Sequence, residues 1–438
     1  MKKIKMALVS VIIGVCAAGT ACAAWGPGEP VTTYWAGPGF PGNERLSDRW
    51  LAQLKEGGFN TVWAMTPEEL DLAAKYGMRA IYKPKELCDR KIFLNIDDPA
   101  AEAAMEAMVN RVKDHPALYV YELYDEPAAE LFAPLAHTKE WLARHDPNHA
   151  AWVNLLPTYA NNKQLGVNGE IIRAYWEHVR LFGEIYRPDF LTYDHYQFQN
   201  GGDSSHYFLN LGIIRQNASA LGVPFFNGVQ ACTWRPGQAA SPRAPRIPGP
   251  DEMRYLVYTT AAYGAHGIYY YVYCHRGHEG SIVSTNGTPD VKYEVLKTLN
   301  REFIAIAKEL SPLKFIGAYH QGLQAPGTTP YCEQALLKLT PETPIAELTP
   351  GQELTDTTLV TRFDAPGRPT HLMVVNLDYR RDRKIHVTAP APAERFNAQD
   401  RSWSSVGSSF DLALTRGSGV LLRLARQAPP ATDSATSN

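Results

Sequence analysis

Residues 60–82, NTVWAMTPEELDLAAKYGMRAIY, decide the fold. Asn60-Thr61-Val62-Trp63-Ala64 is a short run rich in β-branched and aromatic residues, the composition of a buried strand. Pro67 then opens a helical stretch at a first-turn position, where its missing N–H costs nothing, and Gly77 stops it. Arg79-Ala80-Ile81-Tyr82 is the next strand. A strand, a helix and a second strand in so short a span form the crossover that parallel strands require. The pattern repeats on both sides of this unit. Tyr34-Trp35-Ala36 precedes a helix over 46–56 that ends at Gly57-Gly58. Further on, strands over 118–123, 151–156, 190–193, 224–229 and 267–273 alternate with helices over 99–113, 138–144, 171–186, 207–221, 251–263 and 291–310. Eight strand–helix units in about 280 residues predict an α/β fold, a (β/α)8 TIM barrel. A doubly wound open sheet is the competing architecture, but no Gly-rich phosphate loop follows the first strand.

The character changes after Pro312. His371 to Leu377, Lys384 to Val387 and Gly419 to Leu424 are strand-like, with turns such as Ala365-Pro366-Gly367 between them. This predicts a small C-terminal β-sandwich. The expected boundaries are a signal peptide over 1–23, a barrel over 24–312, a sandwich over 313–427 and a disordered tail over 428–438. The signal-peptide reading rests on Lys2, Lys3 and Lys5, the apolar run from Met6 to Ala18, and Ala21-Cys22-Ala23, which fits a small-residue cleavage site. It implies a secreted or periplasmic protein; lipidation at Cys22 is the alternative fate of that end.

The chain has 438 residues, 45% hydrophobic and 20% charged, with 43 basic against 45 acidic residues. That near balance argues against a nucleic-acid partner, which would call for a basic excess. The apolar start is short for a membrane span. No His or Cys spacing suggests a metal, no Ser stands in a nucleophile elbow, and no cofactor motif is present.

A barrel builds its active site at the C-terminal ends of its strands. Reading the residues there gives Trp35, Trp63, Tyr124, Asp125, Glu126, Asp194, His195, Tyr196, Asn227, Gln230, Trp234, Tyr271 and Tyr273. Rings, amides and carboxyls on one rim suit a carbohydrate: rings stack on the C–H faces of a pyranoside, while amides and acids bind its hydroxyls. Glycosidic cleavage needs one protonated and one ionised carboxyl. Glu126 is the candidate acid; Asp194 and Asp125 are candidates for the second group.

Tyr124-Asp125-Glu126-Pro127 resembles the acid/base segment of the large clan of barrel glycoside hydrolases that includes families 42 and 5. The region of Gln230, Asp251-Glu252-Met253-Arg254, Ala262 to Tyr271, Gly280-Ser281-Ile282-Val283 and Gly287-Thr288-Pro289 resembles family 42 barrels as well. The resemblance covers residues 30–315 and implies a glycoside hydrolase, which the signal-peptide reading makes an exported one and the missing cofactor motifs a cofactor-free one. It also implies a nucleophilic Glu at the end of strand seven, where this chain has Gln230. Three assignments of the second carboxylate follow. Asp194 pairs with Glu126 across strands four and six; or Asp125 and Glu126 act together with help from the substrate; or Glu279, after strand eight, supplies it. A barrel that binds carbohydrate without cleaving it is the non-enzymatic alternative.

Overall fold

The computed structural model describes residues 25–425 except 236, 238–240 and 350. The signal-peptide and tail expectations lie outside the described residues. Eight strands, Val31–Trp35 (β1), Thr61–Ala64 (β2), Arg79–Tyr82 (β3), Leu118–Asp125 (β4), Ala150–Leu155 (β5), Leu191–His195 (β6), Phe225–Gln230 (β7) and Gly267–Tyr271 (β8), form one sheet. Its paired neighbours are all parallel, in the order β1-β8-β7-β6-β5-β4-β3-β2. Helices cross over between successive strands, so the fold is a TIM barrel.

The cylinder closes between β1 and β2 through Asn60. Its backbone N–H donates to Thr32 O at 3.2 Å, and its Oδ1 accepts from Thr32 N at 3.0 Å. Its Nδ2 donates to Pro30 O at 2.8 Å. An amide side chain carries the same donor and acceptor as a peptide, so it extends the ladder where strand pairing runs out. The crossover helices start where their caps dictate. Thr66 accepts from Glu69 N ahead of Pro67–Lys75, and Asp98 accepts from Ala100 N and Ala101 N ahead of Pro99–Val112.

Strand ends differ from the sequence reading in one place that matters. β4 runs on to Asp125 rather than stopping at Leu123, and its pairing with β5 slips between Glu122 and Tyr124. This bulge shifts the pleat. Glu122 and Asp125, three positions apart, both reach inward: Glu122 pairs with Lys83 and Asp125 with Asn154.

The interior is filled by matched large and small residues. Trp152 packs against Phe226 and Tyr269, with ring centroids 5.4 and 5.7 Å away. Two glycines make room for these rings. A Cβ on Gly267 would lie 2.7 Å from Phe226, and one on Gly228 would lie 2.3 Å from Tyr269.

The C-terminal region forms a mostly antiparallel eight-stranded sheet. Its long strands are Lys314–Gln321, Thr358–Asp364, Thr370–Asn376, Arg383–Asn397, Ser402–Leu414 and Gly419–Leu424. Bulges between Thr388 and Glu394 let the strand Arg383–Asn397 turn the sheet over on itself, giving the sandwich. Residues alternate between two cores. Leu359, Met373, Val375 and Leu421 join the barrel core, while Val360, Leu372, Val374 and Leu422 form a second one with Ile385 and Val387.

Gly228→Ala tests the packing of the barrel floor. Tyr269 cannot swing aside without breaking its hydroxyl bond to Asn154. Overpacking of this kind should cost about 1–3 kcal/mol in chemical denaturation. An unchanged midpoint would mean that the ring has room to move.

Candidate active site

Three carboxyl groups gather at the mouth: Asp125 ends β4, Glu126 follows it, and Asp194 lies on β6. One amide ties two of them together. Asn154 Nδ2, on β5, donates to Asp125 Oδ1 at 3.1 Å and to Asp194 Oδ1 at 2.9 Å. Its Oδ1 accepts from the Tyr269 hydroxyl at 2.5 Å and from Thr192 Oγ1 at 3.4 Å, which fixes the amide's orientation. Both bonds leave one nitrogen, so the two accepting oxygens lie no more than about 6 Å apart.

Glu126 leaves the strand in the left-handed region, at φ 53°. A non-glycine residue pays for that conformation, and such outliers gather at functional sites. Its N–H donates to Asn154 O at 2.9 Å, which holds the turn. The Glu126 carboxyl has no hydrogen-bond partner among the described residues; the residue keeps an exposed surface, but the walls of the mouth leave its carboxyl poorly hydrated. Asp194 is 2% exposed, whereas Asp125 keeps an exposed surface although its carboxyl, held by Asn154, is turned into the mouth and poorly hydrated.

The electrostatics follow from this crowding. Glu126 is pushed up to about 9, first by burial and then by the charges of Asp194 and Asp125. Asp194 rises to about 7 through burial and the charge of Asp125, against the opposing pull of Asn154 and Tyr196. Asp125 is raised by burial, while Asn154 and Lys83 draw it down. Below the site, Lys83 pairs with the fully buried Glu122, which burial pushes up to about 7.

Rings surround the carboxyls. Tyr196 lies 4.8 Å from Trp234 and 4.9 Å from Tyr271, all three half-buried. Tyr159, 49% exposed along its ring, accepts from Tyr196 N at 3.3 Å; burial of its hydroxyl, followed by the charges of Asp194 and Glu126, pushes that hydroxyl up. Tyr271 hydrogen-bonds His278 Nε2 at 3.0 Å, and His278 contacts His275 at 2.8 Å. Trp35 is 7% exposed, between Trp63 and Tyr269.

Several residues picked from the sequence serve the scaffold instead. Trp63 is fully buried, with its Nε1 donating to Tyr34 O at 2.5 Å. Tyr273 is buried against Tyr34 and Phe59, and its hydroxyl donates to Gln53. His195 is buried between Asn210 and Ser204, and Asn227 donates to Thr260 on a crossover helix. Tyr124 turns away beneath the Arg90 guanidinium. Gln230 is buried and grips the backbone at Phe198, Cys232 and Arg246, which anchors the loops after β6 and β7. In each case the cause is the pleat or the buried surroundings, because neighbours along a strand face opposite sides. Glu279 is exposed in the β8 loop, where its backbone pairs with Thr233.

Sequence reading missed Asn154, Tyr159 and Tyr269. Asn154 is the one polar residue in Ala150-Ala151-Trp152-Val153-Asn154-Leu155, which is its signal. Tyr269 shares a face with Tyr271 two positions on, and Tyr159 follows β5 in its loop.

Among the described residues, no group of three or more His, Cys, Asp or Glu side chains is arranged to hold a metal ion. None of the helices described there is long and apolar enough to cross a membrane.

No family model matches the chain, and no curated protein sequence matches it. Solved structures similar to it include a glycoside hydrolase family 2 β-galacturonidase from Eisenbergiella tayi, at TM-score 0.39 and 14% identity, covering 62% of this chain and 51% of that one. A β-glucuronidase from Ruminococcus gnavus matches at 0.42 and 15%, covering 61% and 49%. A family 27 β-L-arabinopyranosidase from Geobacillus stearothermophilus matches at 0.42 and 10%, covering 92% and 86%. The chain thus spans about half the length of the first two.

Asp194→Asn should expose the energetic cost of this cluster. An acid whose folded pKa is raised makes the fold lose stability as pH climbs from its unfolded value, 3.8, through about 7. The variant should therefore melt at a higher temperature than the wild type, with a larger gain at pH 8 than at pH 5. A lower melting temperature at pH 8 would contradict the like-charge account.

Proposed function

We propose that the chain is a glycoside hydrolase in which Glu126 is the general acid and Asp194 the ionised partner. One observation carries the reading: three carboxyls gather within a ring of half-exposed aromatic side chains, tied by the Asn154 amide, and the one with no hydrogen-bond partner among the described residues is raised by burial and by the charges of the other two. Glu126 keeps its proton near neutral pH and can pass it to the departing glycosidic oxygen. Asp194, steadied by Asn154 and Tyr196, carries the negative charge that faces the anomeric carbon as nucleophile or as base for water. Tyr159, Tyr196, Trp234 and Tyr271 offer faces on which sugar rings stack. The substrate is an oligo- or polysaccharide.

The Asn154 bridge favours a second assignment. Asp125 and Asp194 share one amide nitrogen, so their bridged oxygens lie no more than about 6 Å apart, short of the spacing of about 6.5–9.5 Å that inverting pairs need for a water and nearer that of retaining pairs. Here Asp125, the more accessible of the two, takes part in the chemistry directly. The Lys-rich, apolar start of the chain supports export, which puts the enzyme outside the cytoplasm.

The pH dependence of kcat/KM checks the main assignment. Activity needs Asp194 ionised and Glu126 protonated, so the rate should rise through about pH 7 and fall through about pH 9. Glu126→Gln should abolish the alkaline limb. It should also slow cleavage about 10²–10⁴-fold on substrates with poor leaving groups, and far less on activated aryl glycosides. Retention of full activity by Glu126→Gln on natural glycans would reject Glu126 as the acid. Asp125→Asn abolishing turnover while Asp194→Asn preserves it would transfer the anionic role to Asp125.

A further inference from the structure

The strand Lys314–Gln321 presents neighbouring side chains to opposite sides. His320 packs on Phe208 and contacts the Tyr263 hydroxyl on the barrel side. Gln321 therefore faces the other way, into a cavity of about 750 Å³ on the C-terminal sheet. Gln321 is 3% exposed, and its Oε1 is buried without a hydrogen-bond partner among the described residues. Beside it stands Tyr331, whose backbone N–H donates to His320 O at 2.9 Å and whose hydroxyl is likewise buried and unpaired. A buried amide oxygen and a phenol without partners each cost free energy unless a guest supplies the missing bonds.

We propose that this cavity is a second, non-catalytic binding site for a neutral saccharide. Its volume lies within the range of small-molecule sites. Its walls include Leu336, Ile345 and Pro390, which suit the C–H face of a pyranose, while Gln321 and Tyr331 can take up hydroxyl groups. Glu333 and Glu342 also line it against Lys338, the single cation among the described residues of its walls, so the walls keep a net negative charge that disfavours an acidic sugar. The cavity lies on the C-terminal sheet, apart from the carboxyl cluster in the barrel mouth, so one molecule could hold a polymer here while the barrel mouth acts on it. Only the choice of saccharide as the ligand class rests on the glycosidase reading.

Affinity electrophoresis of the full chain through gels containing starch, xylan, galactomannan, laminarin or polygalacturonate tests this directly. The wild type should be retarded by at least one neutral polymer and not by polygalacturonate. Gln321→Leu should weaken that retardation about tenfold and Tyr331→Phe several-fold, with hydrolysis of short soluble substrates unchanged. Tyr331→Phe removes a single oxygen and serves as the deciding variant if Gln321→Leu does not fold. No retardation on any neutral polymer, preference for polygalacturonate, or folded variants that migrate like the wild type would each overturn the proposal. Retardation that depends on Gln321 and Tyr331, in a chain with no turnover on any glycan, would sustain this site while rejecting the glycosidase reading.

Discussion

The Asn154 amide is the contact on which the mouth of the barrel depends. Asp125 and Asp194 are held at one nitrogen, and on top of burial the charge of Asp125 raises Asp194 and both charges raise Glu126. Without that amide the two carboxylates would separate or draw in water, and the pressure on Glu126 would relax. Asn154 can point its nitrogen at them because Tyr269 donates to its oxygen. Tyr269 sits where it does because Gly228 leaves its space empty and Trp152 supports it from the neighbouring layer. The chemistry therefore continues into the packing of the barrel floor, and a methyl group on β7 would be felt at the carboxyls on β4 and β6.

The architecture was legible because each βα unit carries its own signals. Buried parallel strands read as short apolar runs, and Pro67, Gly77 and Asp98 mark helix boundaries chemically. The site was only half legible. Position along a strand is written in the sequence, but facing is not, once a bulge intervenes. Asp125 points inward only because the ladder slips at Leu123, and Tyr124 points away for the same reason. Collecting every polar or aromatic residue near a strand end gathered both faces together, as with Asp194 and His195, and reached past the strand to Tyr273. Applying the two-residue period would have separated Asp194 from His195, while Tyr273 lies past the end of β8, where that period no longer holds. It would also have singled out Asn154, which shares a face with Trp152.

The C-terminal sheet shows a related limit. Both of its faces are buried, one on the barrel and one in its own core, so Leu372 to Val375 reads as a continuous apolar run. The sheet also steadies the rim. Tyr379 donates to Asp203 at 2.7 Å, and Arg246 bonds both. Asp203 and Arg246 belong to the loops after β6 and β7, and Gln230 grips the second of these at Arg246 O. Those same loops carry Tyr196 and Trp234. What looks like an appended domain thus helps to fix the aromatic walls of the candidate site, and the glutamine standing where the resemblance called for a nucleophile takes part in that support.

The central claim is that burial, reinforced by the carboxyls crowded around Asn154, keeps a proton on Glu126 at neutral pH. Side-chain carboxyl ¹³C NMR of the full chain, titrated from pH 4 to pH 10 and assigned by Glu126→Gln, measures this directly. The account predicts a carboxyl that titrates near pH 9, disappears in Glu126→Gln and moves toward the ordinary carboxylate range in Asp194→Asn. A Glu126 resonance that titrates with the surface carboxylates in the wild type, and does not move in Asp194→Asn, would contradict it.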